Sequence, residues 1–316
     1  MDLSRLRGIL PPVLTPLTPD ETVDERSLRR LVDFLVGAGV HGLWVMGTTG
    51  EFPCLPEAER ARAVAVVVEQ AAGRVPVVAG VGDSSTALAL RHARHAAEAG
   101  VDGLASTPPH YFPHAMDEVV AHFRALKEAH PELPLLIYHI PQTVKVRMTL
   151  DVTLTLAREG VCAGIKDSQN DLEWFRSLVL AVRDEGLTER FRCLLGSRVL
   201  IDAGLAVGAV GAVPAVANVA PAACVAVYEA MARGDLTAAV VAQELAIRFE
   251  DLKLVARGGS SNAASLGAMK HVLRLWGVID HAVLTRPLRP LAPAEVEELR
   301  RRLATLPQPA GVTAAS

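Results

Sequence analysis

The sequence predicts an α/β protein whose parallel strands close into a (β/α)8 TIM barrel, followed by a C-terminal helical segment. Short apolar runs alternate with stretches of helical periodicity eight times between Ile9 and Val213. The runs begin roughly every 17 to 35 residues, the spacing that parallel strands joined by crossover helices need. Beyond Pro221 the strand signal stops and only helical patterns continue. A doubly wound open sheet is the competing architecture, weakened because no G-x-G-x-x-G follows the first run. The expected layout is a barrel over residues 1–220 carrying the active site, a helical segment over 221–306 and a disordered tail over 307–316.

Residues 9–14 form the first predicted strand, ended by the turn-like Thr15-Pro16. Leu28, Leu31, Val32 and Leu35 then recur at helical spacing behind the acidic first turn of Asp24 and Glu25, and Gly37 and Gly39 stop that helix. Strand two is 43–46. Helices over 57–72 and 84–99 lead into strands three, 75–79, and four, 101–105. Helices over 116–129 and 150–159 lead into strands five, 135–138, and six, 161–165. A helix over 171–184 precedes strand seven, 191–195, and a short helix separates it from strand eight, 209–213. The closing helices are predicted near 222–232, 236–256, 262–276 and 293–303.

Composition narrows the function. Half of the residues are hydrophobic but only 4% are aromatic, so Ala, Val and Leu must pack the core closely. A net charge of -3 offers no basic face for phosphate backbones, which argues against nucleic acid and for a small metabolite. Cys54, Cys162, Cys193 and Cys224 are far apart and read as reduced, buried packing residues of a cytoplasmic protein. The first residues lack the apolar core of a signal peptide. Residues 203–228 carry no charge, but Gly204, Gly208, Gly211, Pro214, Asn218 and Pro221 interrupt them, so a helix end, a strand and a helix start are expected there and no membrane span.

In such barrels the chemistry lies where the C-terminal ends of the strands meet the βα loops. That rim should collect Gly47-Thr48-Thr49-Gly50-Glu51, Gly80-Val81-Gly82-Asp83, Thr107-Pro108-Pro109-His110-Tyr111-Phe112, Tyr138-His139 and Lys166. Lys166 ends an uncharged run at the edge of a core. Desolvation there disfavours the ammonium form, and an amine of lowered pKa is the nucleophile that condenses with a ketone as a Schiff base. The Tyr138 phenol can move protons beside it. Glycines such as Gly47 let the backbone approach a ligand, and the hydroxyls of Thr48 and Thr49 with exposed N–H groups suit a carboxylate. Singly, a solvated lysine, a turn and a packing tyrosine are the ordinary readings; jointly the residues outweigh them. His92 and His95 lie on an exposed-looking helix face, and His110 and His114 have no carboxylate beside them, so solvated histidines rather than metal ligands are expected. Charges over 295–302 read as a solvated helix face.

Gly47-Thr48-Thr49-Gly50-Glu51, Tyr138-His139-Ile140-Pro141, Gly164-Ile165-Lys166 and Ala217-Asn218, in this order, resemble the pyruvate-dependent class I aldolases that include dihydrodipicolinate synthase, N-acetylneuraminate lyase and 2-keto-3-deoxygluconate aldolase. The resemblance runs from Gly8 to Leu303. It implies that Lys166 forms an imine with pyruvate or a pyruvate-derived 2-oxo acid, that Tyr138 shuttles protons, and that Thr49 holds the substrate carboxylate. Thr48 would link Tyr138 to Tyr111, which in the family reaches into a neighbouring subunit's site. The Val213 carbonyl would lie near the imine. A homotetramer, a dimer of dimers, is implied, and the iminium's own electron-withdrawing power leaves no need for a metal or organic cofactor.

Departures from the family's pattern bear on the substrate. Dihydrodipicolinate synthases carry an arginine shortly after Tyr-x-x-Pro, whereas Gln142, Thr143 and Val144 follow Pro141 here, and Lys145 or Arg147 could stand in only if the loop were displaced. His110 replaces an aromatic neighbour of Tyr111. Asp167-Ser168 resembles the 2-keto-3-deoxy sugar acid aldolases, with Ser168 able to bond a substrate hydroxyl and Gln142 and Thr143 offering neutral hydrogen bonds. The expected function is therefore a Schiff-base lyase, aldolase or dehydratase, acting on 2-keto-3-deoxy sugar acids. Condensation of pyruvate with aspartate semialdehyde is the alternative, and a non-catalytic 2-oxo acid binding or regulatory protein is the reading from another class.

Overall fold

The computed structural model describes residues 2–309. Its eight parallel strands are β1 Gly8–Ile9, β2 Leu43–Val45, β3 Val77–Gly80, β4 Gly103–Ser106, β5 Leu135–His139, β6 Gly164–Asp167, β7 Arg192–Leu195 and β8 Gly211–Ala212. They bond in the order β1-β8-β7-β6-β5-β4-β3-β2, so each lies beside its sequence neighbour and β8 returns to β1. The ring closes between β1 and β2, where Pro12 bridges Trp44, the Val13 N–H donates to the Trp44 carbonyl at 2.9 Å and the Trp44 N–H to the Pro11 carbonyl at 3.0 Å. Pro11 and Pro12 have no N–H to give a ladder, which is why the first strand is shorter than the predicted 9–14. At the other seam a Cβ on Gly211 would collide with the Gly8 backbone, so glycine there permits β8 to reach β1.

Around the barrel run α1 Glu25–Gly37, α2 Glu57–Ala71, α3 Thr86–Glu98, α4 Met116–Ala129, α5 Pro141–Val144, α6 Leu150–Arg158, α7 Leu172–Asp184 and α8 Ile201–Ala206; α9 Pro221–Ala232, α10 Leu236–Glu250, α11 Ser261–Leu275 and α12 Pro293–Leu303 complete the chain. Side-chain oxygens of Asp24, Ser85, Thr149, Asp171, Asp235 and Ser260 accept N–H bonds at the starts of α1, α3, α6, α7, α10 and α11, satisfying donors that a helix leaves free. Buried Ala63, Ala89, Ala93 and Ala96 bring α2 and α3 close to the strands, the packing that a core poor in aromatics requires. α9 packs on β1 and α10 on α9.

Several expectations are corrected. β6 begins three residues later than predicted and contains Lys166 rather than ending before it. The 236–256 helix stops at Glu250 and continues as a 3-10 helix, Asp251–Val255; residues 203–228 include a further 3-10 turn, Ala215–Asn218. The short α5 is an addition, started by Pro141, whose ring presets helical φ. Cys54 is exposed, whereas Cys162, Cys193 and Cys224 are buried, and all four are free. His92 is buried and bonds Asp83 at 2.8 Å, with Arg60 on the same carboxylate oxygen at 3.0 Å. His114 does have a carboxylate neighbour, Glu118 at 3.5 Å. Glu295 is buried rather than solvated and accepts from the Arg257 and Ala292 amides, both at 2.7 Å. Residues 307–309 carry no regular secondary structure, and the rest of the expected tail lies outside the described residues. Among the described residues no helix is long and apolar enough to cross a membrane.

One buried ion pair ties the C-terminal helices to the barrel rim. Glu51, at φ 59 just past the Thr48–Gly50 turn, bonds the Lys270 ammonium of α11 through one carboxylate oxygen. Its other oxygen accepts from the Thr285 N–H at 2.8 Å and hydroxyl at 2.7 Å, while Lys270 also donates to the Val283 carbonyl at 2.7 Å. Every partner of this pair is internal, so removing one charge strands the other. Lys270→Met is expected to destabilise the protein by about 3 kcal/mol or more. Urea unfolding measures this; a loss below about 1 kcal/mol would show that Glu51 is held well enough by Thr285 alone.

Candidate active site

The centre of the site follows from strand parity. In the β5–β6 ladder Tyr138 lies opposite Lys166, and His139 opposite Asp167. Successive residues of a strand face opposite sides, so the first pair turns into the barrel and the second toward the surrounding helices. Lys166 is 3% exposed. Its Nζ lies 4.0 Å from the Tyr138 ring centre and 5.0 Å from that of Trp44, which itself packs edge-on against Tyr138. Burial pushes the Lys166 pKa below the ordinary lysine value, with the Tyr138 phenol opposing in part.

Tyr138 is held from the opposite wall. Its hydroxyl and the Thr48 hydroxyl are 3.0 Å apart. Thr48 and Thr49 stand on the 3-10 turn anchored by Glu51, and the Thr15 hydroxyl donates to the Gly50 carbonyl at 2.9 Å. Asn218 accepts from the Leu14 N–H at 3.0 Å and donates to the Pro12 carbonyl at 2.9 Å, fastening the β8 loop to the β1 loop. The Ala217-Asn218 motif thus belongs to barrel closure. Beside Lys166, Gln142 donates to the Ser168 carbonyl at 2.7 Å, and a Cβ on Gly196 would collide with the Ser168 hydroxyl.

Behind the lysine, His139 Nδ1 is 2.8 Å from Asp167 Oδ1, and both side chains are fully buried. His139 Nε2 accepts the Met148 N–H at 3.2 Å, which makes Nδ1 the protonated nitrogen and the imidazole neutral.

Thr48, Thr49, Tyr138, Thr143, Lys166, Ser168 and Val213 line one cavity of about 480 Å³. Gly47 does not; a Cβ there would press on the Trp44 indole at 3.3 Å, so its small size serves packing. Nor does Tyr111, which is 79% exposed, stacked edge-on with Phe112, and without a bond to Thr48 among the described residues. Arg147 is 61% exposed on its side chain and stands 3.9 Å from Asp171, outside the cavity wall. Sequence reading missed Asn170, Arg198 and the 260–262 segment, all of which line the cavity. Arg198 follows β7 in an ordinary-looking Gly-Ser-Arg loop, and residues 260–262 come from a helix start far along the chain; neither carries a local signal.

A lysine whose folded pKa lies below its unfolded value of 10.5 binds fewer protons folded than unfolded. Stability therefore rises with pH between those two values and falls as the folded pKa is approached from above. Lys166→Met, which removes that penalty, is expected to be more stable than the parent at pH 7, with the gap narrowing toward pH 10. Paired urea titrations at the two pH values check this, and a gap that widens with pH would contradict it.

The family model of the dihydrodipicolinate synthetase family matches residues 5–306. An uncharacterized DapA-like lyase of Halobacterium salinarum is 36% identical over 301 residues, 95% of this chain and 94% of that protein. The 4-hydroxy-tetrahydrodipicolinate synthase of Thermomicrobium roseum is 35% identical over 309 residues, 98% of this chain and 97% of that one. Among solved structures, YagE of E. coli K12, a prophage protein of the dihydrodipicolinic acid synthase family in complex with pyruvate, superposes with a TM-score of 0.87 at 26% identity, covering 95% of this chain and 98% of that one. A closed eight-stranded barrel, a lysine desolvated on its sixth strand and matches over nearly the whole length lead to one conclusion: the chain belongs to the dihydrodipicolinate synthetase family of pyruvate-dependent lyases and aldolases.

Proposed function

We propose that the protein is a lysine Schiff-base lyase that cleaves or dehydrates pyruvate-derived 2-oxo acids with hydroxylated chains, of the 2-keto-3-deoxy sugar acid type. The observation that carries this reading is the buried amine of Lys166 set against the hydrogen-bonded Tyr138 and Thr48 at one cavity wall. The neutral amine attacks C2 of the 2-oxo acid, and Tyr138 gives a proton to the departing hydroxyl, releasing water and leaving an iminium. The iminium accepts the electron pair of the breaking C3–C4 bond as the C4 hydroxyl loses its proton to Tyr138, giving an aldehyde and an enamine. Protonation at C3 and hydrolysis then return pyruvate and the free lysine. Thr49 and its backbone amide would hold the C1 carboxylate, Thr48 would keep the phenol aligned, and the Val213 carbonyl would face the imine. Pyruvate in the YagE complex supports the same head group here.

The chain-end chemistry supports a hydroxylated substrate. Thr143 and Ser168 line the cavity, and Gln142 there is already engaged with the Ser168 carbonyl. Arg147, the residue best placed in sequence to replace the synthase arginine, stands outside it. The likeness to the Thermomicrobium roseum synthase favours the second reading, condensation with aspartate semialdehyde. We also infer a dimer of dimers in which Tyr111 reaches a partner's site; the exposure of Tyr111 and Phe112 at a single loop supports it.

Borohydride with pyruvate should fix mass on Lys166, read by peptide mass spectrometry; an adduct on Lys145, or none at any pH where the protein is folded, would overturn the imine. Tyr138→Phe should still form that adduct while turnover of a 2-keto-3-deoxy sugar acid falls by roughly two to four orders of magnitude. Near-parental rates would return Tyr138 to packing. Steady-state comparison of a panel of 2-keto-3-deoxy sugar acids, both mono- and dicarboxylic, with the pyruvate and aspartate semialdehyde pair should favour a member of the panel, and efficient dihydrodipicolinate formation would reverse the substrate assignment.

A further inference from the structure

The charge on the cavity wall is lopsided. Among its lining residues there is no Asp or Glu, and the cationic side chains are Lys166, deep in the barrel, and Arg198, whose side chain is 34% exposed. An imine lysine and a carboxylate turn account for one end of a substrate. They leave the arginine unexplained.

Arg198 is held in a fixed pose. Its Nη1 donates to the Ser265 hydroxyl at 2.9 Å and pairs with Glu250 Oε1 at 2.8 Å, and its backbone carbonyl accepts from Gln243. Glu250 does not cancel the charge at this place, because the same Oε1 is shared with Lys253 at 2.6 Å, leaving two cations on one carboxylate. Nε and Nη2 of Arg198 make no hydrogen bond among the described residues. Those two N–H groups form one side of the guanidinium fork, the side that accepts a carboxylate through two parallel bonds. The neighbouring wall is the start of α11, where Ser260 caps Ala263 and the amides of Ser261 and Asn262 likewise have no partner among the described residues. The first-turn dipoles add to the positive potential already set by Arg198.

We infer that Arg198 binds a second carboxylate, at the end of the substrate remote from the 2-oxo group, so that the natural substrates are hydroxylated 2-oxo dicarboxylates. This rests on the imine reading above and deepens it. Thr49 and its backbone amide take one carboxylate and Arg198 the other, with Thr143 and Ser168 beside the chain between them. An uncharged chain end would leave the fork unpaired in a partly desolvated wall, which disfavours monoacids of the same length.

The test needs no turnover. Borohydride trapping on Lys166 is followed as a function of ligand concentration with 2-oxoadipate and with 6-hydroxy-2-oxohexanoate, which share a six-carbon chain and differ only in a terminal carboxylate or alcohol. The readout is the ratio of their half-saturating concentrations, so a general weakening of the site cancels. In the parent protein 2-oxoadipate should half-saturate at about tenfold lower concentration or better, the worth of a charge-assisted pair. Arg198→Gln should bring the ratio near one, and Arg198→Lys, which keeps the charge but loses the fork, should restore part of it. Equal half-saturation in the parent, or a diacid preference that survives Arg198→Gln, overturns the inference while leaving the imine reading intact. Absence of any pyruvate adduct on the parent's Lys166 overturns both.

Discussion

An amine inside a barrel stays neutral only if it is kept from water without being handed a counter-charge, because a carboxylate at contact would hold it as an ammonium. The β5–β6 pairing meets both demands through register alone. Asp167 adjoins Lys166 in sequence, yet the pleat turns it to the opposite face, where His139 occupies it. What faces Lys166 instead is the ring of Tyr138 and the indole of Trp44. A slip of one residue would exchange those faces, turning the carboxylate into the barrel and the amine out toward the helices.

The turn that faces this amine takes its shape from outside the barrel. Thr48 and Thr49 sit on a single 3-10 turn whose end is fixed by Glu51 on Lys270 and Thr285, groups more than two hundred residues away. Asn218 performs the same office at the neighbouring loop with three hydrogen bonds to backbone. Both devices are buried polar contacts with every partner internal, so they hold geometry rather than add much net stability.

The fold was legible because its signals are local. Apolar runs, glycine stops and capping residues lie within a few positions of the elements they define, and α4 and α12 begin and end where periodicity predicts. Strand ends were less legible: Pro11 and Pro12 kept an apolar run from laddering, and Lys166 proved to be inside β6 because a polar residue facing a cavity still pairs through its backbone. The site divided along the same line. Lys166, Tyr138, Thr48, Thr49 and Ser168 lie at or just past strand ends, where sequence patterns point, and all five line the cavity. Arg198, the start of α11 and the Glu51–Lys270 pair depend on contacts between distant segments, which no periodicity reports. His92 and Glu295 were misread for the same reason, since a charged residue on a helix face looks solvated until the segment covering it is known.

The position of Lys270 and residues 260–262 near the end of the chain has a consequence for biosynthesis. All eight strands, and with them Lys166 and Tyr138, leave the ribosome before α11 does. At that moment Glu51 has neither Lys270 nor Thr285, the Thr48–Thr49 turn is held through the Thr15 bond to Gly50 and not through Glu51, and one side of the cavity is open. A nascent or prematurely terminated chain therefore carries the buried amine without its complete cavity, because residues 260–262 and the Glu51 partners Lys270 and Thr285 all come after the last strand.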